Sequence, residues 1–201
     1  MIRCLITLLY TFCLPTASAQ VRISAAQVLR RPAAAPLIVL QPGAAQQLVR
    51  VLRVVDADTY EVEAPGGRAR VRLLGADAPE QDQPFGRQAA AEVSALVLRR
   101  YVWLRVQGLD AYGRNLAAVR LRPAAFSGQA TVALDSLLVV RGWAWAYSPG
   151  QAVADRAVLQ QRAQDAGRGL WKCGPAAPVR PGVWRAFNRQ EKSSHWGSCS
   201  W

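Results

Sequence analysis

The segment Arg72 to Glu80 reads R-L-L-G-A-D-A-P-E, and it sets two carboxylates in a turn directly after an apolar run. Gly75 and Pro79 break the regular backbone there, so Asp77 and Glu80 are expected at the open end of a sheet, with Arg72 just before them. Two further short segments offer matching chemistry. D-A-D-T supplies Asp56 and Asp58 at a bend, and D-A-Y-G-R supplies Arg114 in a tight turn. Carboxylates suit a hard cation or the activation of a water molecule, and guanidinium groups suit phosphoryl oxygens through their planar fork. Together these are the parts that phosphodiester hydrolysis requires: an oriented, deprotonated water, stabilised charge on the phosphorus oxygens, and a positioned diester. Taken singly, each piece is ordinary. A D-x-D bend is usually turn chemistry, and an arginine after Tyr-Gly is usually a hairpin residue. The weight lies in three such pieces in order.

The chain around them has the size and balance to hold such a site. Its 201 residues, 51% of them hydrophobic, fit one domain with appendages. The formal charge is +12, and Lys172 and Lys192 are the sole lysines, so the cations are overwhelmingly arginine. Such a chain is attracted to polyanions, in a salt-dependent way. Residues 1–19 have the form of a secretory signal: Arg3, then a largely apolar run from Cys4 to Leu14, then Ala17-Ser18-Ala19 before Gln20. That run is too short to span a membrane, and the expected product is exported, to a periplasm or beyond. Its removal leaves Cys173 and Cys199, which in an oxidising compartment are expected to pair and to contribute about 3 kcal/mol by loop closure. Two free thiols or a bond to a partner are the alternatives. With His195 the lone histidine, zinc or histidine-based chemistry has little to build on.

Residues 20–46, rich in Ala and Pro, are expected to form an extension or linker with a short strand at Leu37–Leu40. Strand patterns then occupy 48–55, 59–64 and 68–74, the last two joined by the hairpin signal Pro65-Gly66-Gly67. In 68–74 the alternation puts Arg68, Arg70 and Arg72 on one face, solvated for the first two. A helix is expected over Gly86–Arg100 with an Ala89, Val93, Leu96, Val97 stripe, followed by strands at 102–106 and 116–121. Asp135 reads as the N-cap of a helix at 136–140, and a third helix is expected over Ala152–Ala166. Residues 174–201, with Pro175, Pro178, Pro181 and Trp184, are expected to be irregular, the Pro/Trp segment lying against the domain and the last dozen residues mobile unless a disulfide holds them. Five strands, with helices after the third and after the fifth, predict an α+β fold: a small closed barrel of oligonucleotide-binding type with three helices, spanning 47–173. Trp143 reads as core, and Tyr147, two residues beyond Trp145, as a candidate for base stacking.

The ordered set V-V-D-A-D-T, V-R-L-L-G-A-D-A-P-E, Q-P-F-G, D-A-Y-G-R, R-G-W-A-W and G-L-W resembles the staphylococcal nuclease (thermonuclease) family over Gln47 to Trp171. The resemblance implies a five-stranded barrel with three helices, a single Ca2+, and cleavage of DNA and RNA at the 5′ P–O bond to leave 3′-phosphate ends; a monomer is expected. It also implies roles: Asp58, Asp77 and the backbone carbonyl of Ala78 for calcium, Glu80 for the water, and Arg72 and Arg114 for the phosphate. Tyr112 and Tyr147 fall near the nucleotide, and Asp56 is a supporting acid. Two departures stand out. Ala57 replaces the family's usual glycine, which would cost about 1 kcal/mol if that position needs a positive φ, and the segment Gln81–Gly86 is compact. A barrel that binds nucleic acid without cutting it is the rival reading. An envelope protein using its Pro/Trp tail for partner contacts is a third.

Overall fold

The computed structural model describes residues 36–43, 45–122, 131–147 and 154–195. Strands β1 (Gln47–Asp56), β2 (Thr59–Ala64) and β3 (Gly67–Leu73) form an antiparallel meander, and β4 (Ala76–Asp77) is a two-residue strand after it. Helix α1 (Gly86–Val97) leads to β5 (Tyr101–Leu109) and β6 (Asn115–Leu121), then come β7 (Val132–Ala133), α2 (Leu134–Val140), β8 (Trp145–Ala146) and α3 (Ala154–Asp165). The sheet runs β3-β2-β1-β5-β6-β7, and a parallel pairing of β3 with β6 closes the five long strands into a barrel. Its interior follows from period-2 patterning. In β5, Val102, Leu104 and Val106 are buried while Tyr101, Trp103 and Arg105 face out.

The closing seam is short, and Asn115 holds it. Its side chain donates to Arg70 O (2.8 Å) and accepts from Leu40 N–H (2.7 Å), so a buried amide satisfies two backbone groups at once. The expected strand at Leu37–Leu40 is reduced to a single parallel bridge, Ile38 to Ala69, and Leu40 is part of the core.

Helix α1 buries Ala89, Val93 and Val97 and ends three residues before the expected Arg100. Arg99 takes φ 61° there, and its N–H bonds Val51 O at 2.8 Å, which lays β5 beside β1. Asp135 is not an N-cap. It lies in the first turn of α2, which begins at Leu134, and its buried carboxylate pairs with Arg156 of α3, tying the two helices together. Helix α3 starts at Ala154, and expected residues 152 and 153 lie outside the described chain. Trp143 is core as expected, and Trp145 meets Trp171 edge-on at 5.7 Å.

The tail departs most from expectation. Instead of irregular chain it carries α4 (Pro181–Ala186) and α5 (Arg189–Ser194), started by Pro181 at the first helical turn and by an Asn188/Glu191 capping box. Trp184 is 1% exposed. Among the described residues, no helix is long and apolar enough to cross a membrane.

Arg68 and Arg70 are half-exposed rather than fully solvated, and both reach the buried carboxylate of Glu61 on β2, at 3.0 and 2.8 Å. Hydrogen bonding from Arg70, against the opposing effect of burial, holds Glu61 below its ordinary pKa. A carboxyl with a depressed folded pKa adds stability above its unfolded value, near 4.3, and loses it as pH falls through the folded value. Glu61→Gln is therefore expected to lose about 2 kcal/mol at neutral pH. Urea melts should show the gap to wild type closing on acidification. A gap that is the same in acid and at neutrality would rule out the charge pairing as its source.

Candidate active site

The β1–β2 turn, the β3–β4 end and the β5–β6 turn converge on one open cleft of about 790 Å³. Asp56, Asp58, Arg72, Asp77, Ala78, Glu80, Tyr112, Arg114 and Tyr147 all line it, so every side chain singled out from the sequence is brought to one place.

Asp58 ends the two-residue β1–β2 turn and is 1% exposed. Its Oδ2 accepts the Ala78 N–H (2.5 Å), and its Oδ1 accepts from Thr59 Oγ1 (3.1 Å) and pairs with Arg72. Arg72, on β3, uses its other fork nitrogen on Asp77 Oδ1 at 2.6 Å. One guanidinium thus holds two buried acids from separate segments, a geometry that lysine does not reproduce. Burial would lower the Arg72 pKa, but Asp58 and Asp77 outweigh it and raise it. Asp58 is itself pushed up by burial, against the pull of Arg72 and the Ala78 N–H. Asp56 is raised to about 6, first by burial and then by the neighbouring charges of Asp58 and Glu80.

Ala57 does not strain the site. Among the described non-glycine residues, positive φ occurs at Phe85 and Arg99, so alanine fits the bend, and its carbonyl accepts from Tyr60 Oη (2.5 Å). Glu80 opens the compact turn: its carbonyl accepts from Gln83 N–H (2.9 Å), and Gln83 Oε1 accepts from Glu80 N–H (3.1 Å). The turn closes where Phe85 adopts φ 68° and Gly86 begins α1. A Cβ on Gly86 would lie 1.8 Å from Glu80 O, so only glycine lets the helix start this close to the carboxylate's own backbone.

Arg114 is set by a residue that the sequence reading passed over. Asp110 Oδ1 accepts the N–H groups of Tyr112 (2.8 Å) and Arg114 (2.9 Å), and its Oδ2 pairs with Arg114 Nε at 2.5 Å. This is an Asx turn, and an Asp at the start of a tight turn is its signal. Tyr112 is 80% exposed, with the Arg114 guanidinium 5.3 Å from its ring centre. Tyr147 is 45% exposed, directly after β8, with its N–H on Gly75 O at 3.2 Å. Arg185 of the tail was also passed over. It pairs with Glu80, and with a separation of 105 residues nothing local signals the contact.

A family model described as "Staphylococcal nuclease homologue" matches residues 70–173, just over half of the chain. The chain belongs to the staphylococcal nuclease family. Relatives of this family member include Protein ParB of Escherichia coli, 34% identical over 176 residues that cover 85% of this chain and 98% of that protein. An uncharacterized endonuclease of Escherichia coli O157:H7 is 35% identical over 136 residues, covering 68% and 83%. Micrococcal nuclease of Shigella flexneri is 38% identical over 127 residues, covering 62% and 72%. The staphylococcal nuclease match spans Arg72, Asp77, Ala78, Glu80, Tyr112, Arg114 and Tyr147. Asp56 and Asp58 precede it, and the tail helices follow it.

Among the described residues, no three Asp, Glu, His or Cys side chains are arranged to hold a metal ion by themselves. The oxygen donors lining this nuclease-family cleft include the carboxylates of Asp56, Asp58, Asp77 and Glu80, with Ala78 beside Asp77. They are hard donors, and Asp58 and Asp77 share the Arg72 guanidinium. That chemistry fits a divalent cation which keeps water or substrate oxygens in its remaining positions.

Proposed function

We propose that the protein is an exported, calcium-dependent, monomeric nuclease that hydrolyses phosphodiester bonds of DNA and RNA and leaves 3′-phosphate ends. The observation that carries this reading is the convergence of Arg72, Glu80 and Arg114 with Asp58 and Asp77 on one cleft. Asp58, Asp77 and the Ala78 carbonyl would hold the calcium, with Asp56 behind them. When bound, calcium supplies positive charge beside the scissile phosphate. Arg72 and Arg114 present donors to the phosphoryl oxygens, where charge grows as water adds. The Glu80 carboxylate accepts the water's proton as the new P–O bond forms and the 5′ P–O bond breaks. Tyr112 and Tyr147, exposed at the cleft mouth, offer faces for the flanking nucleotide.

Residues 1–19 serve in this reading as the export signal, and Cys173 is bridged to Cys199, which lies outside the described residues. The test is digestion of DNA and RNA by the mature protein with calcium, with and without a chelator. Salt-sensitive DNA binding with no cleavage in calcium would favour the binding-module reading instead.

A further inference from the structure

The family match stops at residue 173, yet the chain folds back onto the cleft. Four contacts seat it. Trp184 donates from Nε1 to Asp82 Oδ1 (3.0 Å), Lys192 pairs with Asp82 Oδ2 (2.8 Å), Gln83 Nε2 donates to Val179 O, and Arg185 pairs with Glu80. Asp82 and Gln83 belong to the compact turn after Glu80, so the tail is clamped to the segment that places the carboxylate. Arg180, Gly182, Val183 and Arg185 become lining of the same cleft.

The charges of that lining are unevenly used. Of its arginines, Arg70 pairs with Glu61, Arg72 with Asp58 and Asp77, Arg114 with Asp110, and Arg185 with Glu80. Arg180 is exposed and has no ion-pair partner among the described residues. The tail walls the cleft without filling it, since about 790 Å³ stays open, and Arg185 occupies Glu80 Oε1 alone. An inhibitory strap would occupy that space.

Building on the nuclease reading, we propose that the segment Val179–Arg185 is a second wall of the nucleic-acid site. Arg180 contacts a backbone phosphate outside the barrel's own arginines, and Trp184 is the anchor that holds the wall in place. A phosphate contact by one arginine releases condensed counterion, which gives the proposal a signature that mere loss of packing lacks.

The experiment is equilibrium binding of a short DNA duplex across a salt series, with chelator present so that no turnover is needed. Arg180→Ala is expected to reduce the log–log salt slope by about 0.9, which makes its affinity deficit about 3.5-fold larger at about 50 mM than at about 200 mM salt. Arg180→Lys should keep the wild-type slope, and Trp184→Ala should lose at least as much slope as Arg180→Ala. An unchanged slope in Arg180→Ala overturns the proposal, and so does the absence of any salt-dependent binding. A rise in cleavage rate on Arg185→Ala with the slope intact would mark the tail as a strap and overturn it too. Failure of the protein to cleave DNA would count against the nuclease reading and leave these binding outcomes decisive.

Discussion

Glu80→Gln is expected to lower kcat for DNA cleavage by about 10² to 10⁴-fold, the usual contribution of a positioned general base. The substitution keeps the shape and a hydrogen-bonding oxygen but removes the site that takes the proton. Glu80 sits with its side chain 30% exposed, its N–H bonded to Gln83 Oε1 and its carboxylate beside Arg185, so glutamine leaves the turn intact. Losing the partly exposed pair with Arg185 should cost no more than about 1 kcal/mol of stability. The loss should therefore appear in turnover under saturating DNA. Wild-type turnover in Glu80→Gln would remove this carboxylate from the chemistry, whatever the rest of the cleft does.

Arg72→Ala is expected to damage the fold as well as the reaction. Asp58 is 1% exposed and shares this guanidinium with Asp77, so truncation leaves two buried carboxylates without their cation. Breaking a buried pair from one side costs about 3–5 kcal/mol. Urea denaturation should show that loss. Arg72→Lys should recover only part of it, because an ammonium supplies charge but not the two-pronged reach. Added calcium should stabilise Arg72→Ala by mass action, since a cation at the same carboxylates offsets the charge that the arginine leaves behind. A variant as stable as wild type would mean that the two acids are neutralised by some other route.

What the sequence made readable follows from the range of the interactions involved. Strand alternation in 102–106 and 116–121, the hairpin at Pro65-Gly66-Gly67 and the apolar stripe of α1 are local patterns, and the barrel with its three principal helices came through them. The candidate site was legible because its residues sit in short turns with strong breakers, so Asp58, Asp77, Glu80 and Arg114 stood out by position. Asp135 misled because an acid at a helix start has two uses, and the partner that decides between them, Arg156, is on another helix. The concern over Ala57 dissolved because the bend between β1 and β2 runs without positive φ there. The docking of the Pro/Trp segment was expected, but its helices and its partners were not, for a different reason. Its prolines read as breakers, but Pro181 opens a helix, and the acceptor for the Trp184 Nε1–H, Asp82, lies 102 residues away in the chain.

The most direct test of the central claim is a single digestion series on DNA and RNA. The same mature protein is assayed in calcium, after addition of a chelator, and after calcium is restored in excess. Cleavage of both polymers in calcium, its arrest by the chelator and its return with the metal are the expected results of a calcium-dependent nuclease. Cleavage that continues undiminished in chelator would contradict that reading, as would a protein that binds DNA in calcium and never cuts it.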